Sequence, residues 1–144
     1  MTALVYDQKK NFQMSDSLYT KALSIDPDNP LVLNNFAYSL SERKIRLDEA
    51  LEMSKYAVEQ EPENSSYLDT IGWIYFQLDD YDNAKKFIQK SLEYDNNNAV
   101  VIDHLGDVFY KLNKTDKAID LWKKALELDP DKNEIQEKIN KGVL

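Results

Sequence analysis

Cysteine is absent from the 144 residues, which removes disulfides, a thiolate nucleophile and zinc–sulfur sites together. That fits any compartment and identifies none. Glycine occurs three times, proline four times and histidine once. The single histidine, His104, has no serine or cysteine partner in a recognisable motif, so the familiar nucleophilic constellations lack their parts. Positive charge is short as well: 18 lysines and arginines face 26 aspartates and glutamates, a net charge of −8. A phosphate backbone needs the opposite balance, which argues against nucleic acid, and the same sign disfavours anionic membrane surfaces. No uncharged apolar run approaches the roughly 20 residues of a membrane span. The start, Met1-Thr2-Ala3-Leu4-Val5-Tyr6-Asp7-Gln8-Lys9-Lys10, lacks the basic-then-apolar order of a signal peptide. The compartment stays open, with the cytoplasm favoured for this stretch.

What the chain does contain is a period. Gly72 and Gly106 are 34 residues apart, and Ala50, Ala84 and Ala118 step by 34 each time. Leu68 and Ile102 keep that step, as do Ile71 and Leu105. Between the first two units, Ala3 to Ala37 is 34 but Ala22 to Ala57 and Pro27 to Pro62 are 35. One extra residue therefore lies between Leu40 and Ala50, within 41–47, where a surface turn tolerates it.

Each unit reads as two amphipathic helices. Leu68, Ile71, Gly72 and Tyr75 share one helical face, Asp79-Asp80 interrupts, and Tyr81, Ala84, Phe87, Ile88, Ser91 and Leu92 mark a second face. Asn29-Pro30, Asn64-Ser65 and Asn98-Ala99 signal helix starts, and Pro27, Pro62 and Pro130 stop the helices before them. The spacing predicts helices near 2–9, 12–25, 30–43, 47–60, 65–78, 81–94, 99–112, 115–128 and 133–141, with no strand. The fold class is all-α.

Leu68-x-x-Ile71-Gly72-x-x-Tyr75, then Ala84-x-x-x-Ile88, then Asn96, resembles the tetratricopeptide repeat. Ile102, Leu105, Gly106, Phe109, Ala118, Trp122 and Pro130 repeat the pattern, as do Leu33, Phe36, Ala37, Leu40, Ala50 and Pro62. The first unit keeps only Ala3, Tyr6, Ala22 and Pro27. Ser15, Ser54 and Ser91 depart from the pattern. The resemblance implies a right-handed solenoid of stacked helical hairpins over 1–132, divided into a partial repeat at 1–29 and repeats at 30–64, 65–98 and 99–132. Residues 133–144 follow as a capping or solvating helix, or as the start of a further repeat, with Gly142 placed to end it. The first repeat lacks its opening turn. The chain is therefore expected to be a piece of a longer protein, its cut end, with Leu4, Leu18, Leu23 and Ile25, fraying or pairing with another copy.

In such arrays the first helix of each hairpin lines a concave groove. Carried over by the motif, the groove residues are Asn34, Asn35 and Tyr38; Asp69, Thr70, Trp73, Phe76 and Gln77; and Asp103, His104, Asp107 and Tyr110. Chaperone-binding members hold a terminal carboxylate with lysine and arginine. Only Asn35 matches that clamp here, and Asp69, Asp103 and Asp107 stand where cations are wanted. The expected ligand is instead a protein or peptide segment with basic and aromatic residues, met by exposed aromatics beside carboxylates. Trp73 is assigned to the groove, although its alternative is core between hairpins; Trp122 is assigned to the core.

Other features have plainer readings. His104 with Asp103 and Asp107 mimics a metal site, but the reading preferred is a histidine on an exposed inner face; no metal and no cofactor are expected. The sequons at Asn64 and Asn113 fall at turns, where helix capping accounts for them. Arg43, Lys44 and Arg46 read as a solvated turn. Short connections leave no place for converging catalytic groups, so the chain reads as a binding scaffold or adaptor and not an enzyme. The alternative is a structural or oligomerisation segment of a longer solenoid without its own ligand.

Overall fold

A computed structural model describes residues 2–144; the expected beginning of the first repeat at Met1 lies outside them. Among the described residues nine helices follow in order: α1 (Ala3–Gln8), α2 (Phe12–Ile25), α3 (Pro30–Glu42), α4 (Leu47–Gln60), α5 (Ser65–Gln77), α6 (Tyr81–Tyr94), α7 (Ala99–Lys111), α8 (Thr115–Leu128) and α9 (Asn133–Lys141). They pair as hairpins, α1 with α2 through α7 with α8, and successive hairpins stack.

Local chemistry sets the boundaries. The side-chain oxygens of Asn29, Asn64 and Asn98 accept backbone N–H bonds from Val32, Tyr67 and Val101 at 3.1, 3.1 and 3.3 Å, closing the first turns of α3, α5 and α7. The turn inside each hairpin carries one residue with positive φ: Lys10, Lys44, Asp79 and Asn113. Just after it a backbone N–H reaches back five residues, as from Asp80 to Tyr75 at 2.9 Å and Lys114 to Phe109 at 2.9 Å. The α3–α4 turn holds a second left-handed residue, Arg46 at φ 49°. The extra residue of this unit therefore lies after Lys44. Asn113 itself takes the left-handed position at φ 65° and does not cap α8, unlike Asn64, which caps α5.

The hairpins close through small residues. A Cβ placed on Gly72 would lie 2.6 Å from Ile88 Cγ1 and 3.3 Å from the Ala84 carbonyl oxygen; one on Gly106 would lie 2.5 Å from Trp122 Nε1 and 3.3 Å from the Ala118 carbonyl oxygen. Ala84 and Ala118 are fully buried at these crossings. Two of the departing serines are satisfied locally: Ser91 Oγ donates to the Ser65 carbonyl at 2.7 Å across its own hairpin, and Ser15 Oγ to the Phe12 carbonyl at 3.2 Å.

The core has two parts. One, in the last two repeats and α9, gathers Trp73, Phe76, Ile88, Ile102, Leu105, Val108, Phe109, Trp122 and Ile135. The other, around Tyr19, Phe36, Ala37, Leu40, Ala50 and Ile74, is smaller. α1 buries no residue, and Ile25 on α2 is 78% exposed. Polar contacts tie this hairpin to the next. Arg43 donates to both Asp16 oxygens at 3.0 and 2.6 Å and lies 4.4 Å above the Phe12 ring, while Ser39 Oγ donates to Asp7 at 2.5 Å. The reading of Arg43 as part of a solvated turn is corrected: its fork fits a carboxylate across the hairpin boundary.

Candidate functional site

The first helices touch across repeats, α3 with α5 and α5 with α7, which places them on the inner side of the stack. Two depressions lie along this face. One, of about 270 Å³, draws Leu4 and Asp7 from α1, Asn34, Asn35 and Tyr38 from α3, Asp69 and Thr70 from α5, and Val101 from α7. The other, of about 340 Å³, is lined by Tyr38, Trp73, Asp103, His104, Asp107 and Lys138. Tyr38 borders both.

Nine of the twelve expected residues thus face these depressions. The other three do not. Phe76 is buried, stacked on Trp73 at 4.5 Å and tilted against Tyr81 at 5.6 Å. Tyr110 leans on Trp122 at 6.1 Å, and Gln77 lines neither depression. Exposure also needs correction. Trp73, expected to project into the groove, is 9% exposed and sandwiched between Phe76 and His104, the latter at 4.0 Å. His104, expected on an exposed face, is buried. Its Nδ1 lies 3.0 and 3.2 Å from the two Asp69 oxygens of the preceding repeat. The reason is that the rotation between repeats brings this helix position against its predecessor.

The carboxylates are therefore not free. Lys138 of α9 donates to Asp103 at 2.5 Å and to Asp107 at 2.8 Å, and Asp107 also accepts from Trp122 Nε1 at 3.0 Å. Burial pushes the Asp107 carboxyl above its ordinary value, with the Lys138 ammonium opposing. Burial would push His104 down, but Asp69 above all, with Asp107 and Asp103, holds it above its ordinary value. Burial first, then Glu42, raises the Tyr38 hydroxyl, which keeps it a neutral donor.

Lys138 and Arg43 are what sequence reasoning missed. A signal existed for the first: Asp69 to His104 and Asp103 to Lys138 are both separated by 35 residues, one period plus one. Two buried polar atoms beside the depressions, Asn34 Oδ1 and Trp73 Nε1, have no partner among the described residues.

Comparison with known proteins agrees with this geometry. The tetratricopeptide repeat family matches residues 1–29 and 65–98, a second description of the same repeat matches 18–52, and a TPR repeat family matches 106–139. The chain belongs to the tetratricopeptide-repeat family. It is a protein-interaction domain of that family. It is similar to the Heat-shock protein cognate (HSC) co-chaperone sgt12 of Aspergillus fumigatus, 34% identical over 84 residues, or 57% of this chain and 24% of that protein. The matches cover only 11–36% of the length of the curated relatives. Among solved structures, MamA superposes with a TM-score of 0.75 at 21% identity, covering 95% of this chain and 80% of that one. The first tetratricopeptide domain of Spaghetti (RPAP3), solved bound to the HSP90 peptide SRMEEVD, gives 0.72 at 19% identity, covering 78% and 89%. These likenesses concern the fold. Among the described residues no helix is long and apolar enough to cross a membrane.

Proposed function

We propose that the tetratricopeptide array takes an extended segment of a partner protein along its inner face, from α3 to α7. The observation that supports this most is that two of the four buried side-chain atoms without a partner among the described residues, Asn34 Oδ1 and Trp73 Nε1, belong to side chains lining the two depressions. A buried donor or acceptor left unmade costs about 1–3 kcal/mol. Both atoms are closed to solvent in the free chain, so an extended backbone offers an N–H to one and a C=O to the other as these two side chains turn toward it. Tyr38, at the border of both depressions, adds an aromatic surface and a neutral hydroxyl. The peptide in the RPAP3 complex supports the ligand class, though a terminal carboxylate is disfavoured here by Asp69, Asp103 and Asp107. A segment with basic and aromatic residues suits this face, and its cationic groups compete with Lys138.

Selection of peptides from a random library on the immobilised full chain, followed by titration, tests the reading. Asn34→Ala with Tyr38→Ala should weaken the selected peptide at least about tenfold, while Lys90→Ala on the exposed side of α6 leaves it unchanged. Binding indifferent to the first pair contradicts the proposal. The second reading, an end-to-end structural segment, is favoured by Leu4 and Ile25, apolar and exposed on the first hairpin. Sedimentation showing a concentration-dependent dimer, lost in Ile25→Glu, would support it.

A further inference from the structure

α9 is a weak helix held in a strong place. It has nine residues, no side-chain cap at its start, and only Ile135 buried, with Ile139 half-buried. Helices this short are marginal without tertiary support. Its other anchor is one ammonium group. Lys138 Nζ meets Asp103 and Asp107 and lies 5.0 Å from the centroid of the Trp122 ring. Asp107 is fixed in turn by the Trp122 indole N–H at 3.0 Å. Two carboxylates and an aromatic ring, with the Asp107 Oδ1 shared between the indole N–H and the ammonium, form a receptor for a primary ammonium. This receptor opens into the depression that Tyr38, Trp73 and His104 also line, so it continues the inner face.

We infer that the Asp103–Asp107–Trp122 cage is a lysine-binding subsite of the groove, filled in cis by Lys138 and taken over by a lysine of the bound segment. This rests on the groove reading and names one residue of its ligand. Asp69 shows what the same helix position does one repeat earlier: its partner, His104, is buried in the stack, stacked on Trp73 and unable to swing away. Lys138 differs, since it reaches its two carboxylates on a long aliphatic stem and its rotation disturbs no ring stack. A tethered competitor acts at an effective concentration on the order of millimolar. A free lysine therefore loses to it, and a lysine within a segment anchored elsewhere in the groove wins. The cage thus makes the C-terminal part of the groove selective and keeps its acids paired when empty of ligand.

The test uses the full chain with two capped peptides, Gly-Tyr-Lys-Gly-Tyr-Gly and the same sequence with norleucine for lysine, followed by calorimetry. Lys138→Met should bind the lysine peptide at least about fivefold more tightly than the parent, a gain absent with the norleucine peptide and removed by adding Asp103→Asn. Hydrogen exchange over 133–141 reports whether α9 stays docked. If α9 releases, the difference between the two peptides still separates the cage from a newly bared apolar face. An equal gain for both peptides, or no gain for lysine, overturns the inference. If neither peptide binds any variant the cage is likewise rejected, while the groove is judged separately by the Asn34 and Tyr38 variants with selected peptides.

Discussion

The first hairpin and the last two repeats are built from one motif and held together differently. In residues 65–128 the stack closes on large buried side chains, with Gly72 against Ile88 and Gly106 against Trp122. In residues 3–25 only Ser15 and Tyr19 are buried, and Arg43–Asp16 and Ser39–Asp7 bridge to the neighbour. Apolar burial is not weakened by charge screening, whereas part-exposed ion pairs are. The same architecture therefore predicts a firm end and an end whose attachment depends on solution conditions.

Breaking the firm end should give the largest effect. Gly106→Leu forces a side chain into the Trp122 indole and displaces its bond to Asp107, so urea unfolding should show a loss of about 3 kcal/mol or more. A neutral result would mean that α7 and α8 do not cross there. At the other end Arg43→Met should raise hydrogen exchange over 3–25 roughly fivefold, about 1 kcal/mol of local stability, and leave 65–128 unchanged. Added salt should reproduce part of that in the parent and none in the variant.

How these two ends read from sequence follows from what each depends on. Helix boundaries, the Gly–Ala crossings and the place of the inserted residue depend on spacing within one repeat, and the 34-residue period carries them. The pairings of Asp69 with His104, of Asp103 with Lys138 and of Arg43 with Asp16 depend on how one repeat turns against the next. Composition at a helix position says nothing of that turn, so the inner acids read as free and Trp73 as exposed. Asn34, Asn35, Tyr38 and Thr70 line the inner depression at positions that the tetratricopeptide resemblance implied, because the repeat motif carries the helix phase with it.

The His104–Asp69 pair sharpens the comparison by pH. His104 in the folded chain lies above its ordinary 6.5, so its contribution is complete below that value and is lost as pH rises through the folded value. As pH rises above the ordinary 6.5 the parent should lose stability relative to His104→Phe, and the imidazole resonance should titrate above that value. Parallel pH profiles would contradict the pairing. The smallest effect belongs to Lys10→Gly, which relieves a left-handed residue at φ 59° in the weaker hairpin. It should stabilise residues 3–25 by roughly 0.5–1 kcal/mol, read as slowed exchange there.

The central claim, that the inner face is the binding surface, is tested most directly by an amide resonance titration of the full isotope-labelled chain with a library-selected peptide. The account predicts shifts concentrated on α3, α5 and α7 around Asn34, Tyr38, Asp69 and Trp73, including the Trp73 indole N–H as it gains an acceptor. Shifts confined to α4, α6 and α8, with the Trp73 indole unmoved at saturation, would contradict it.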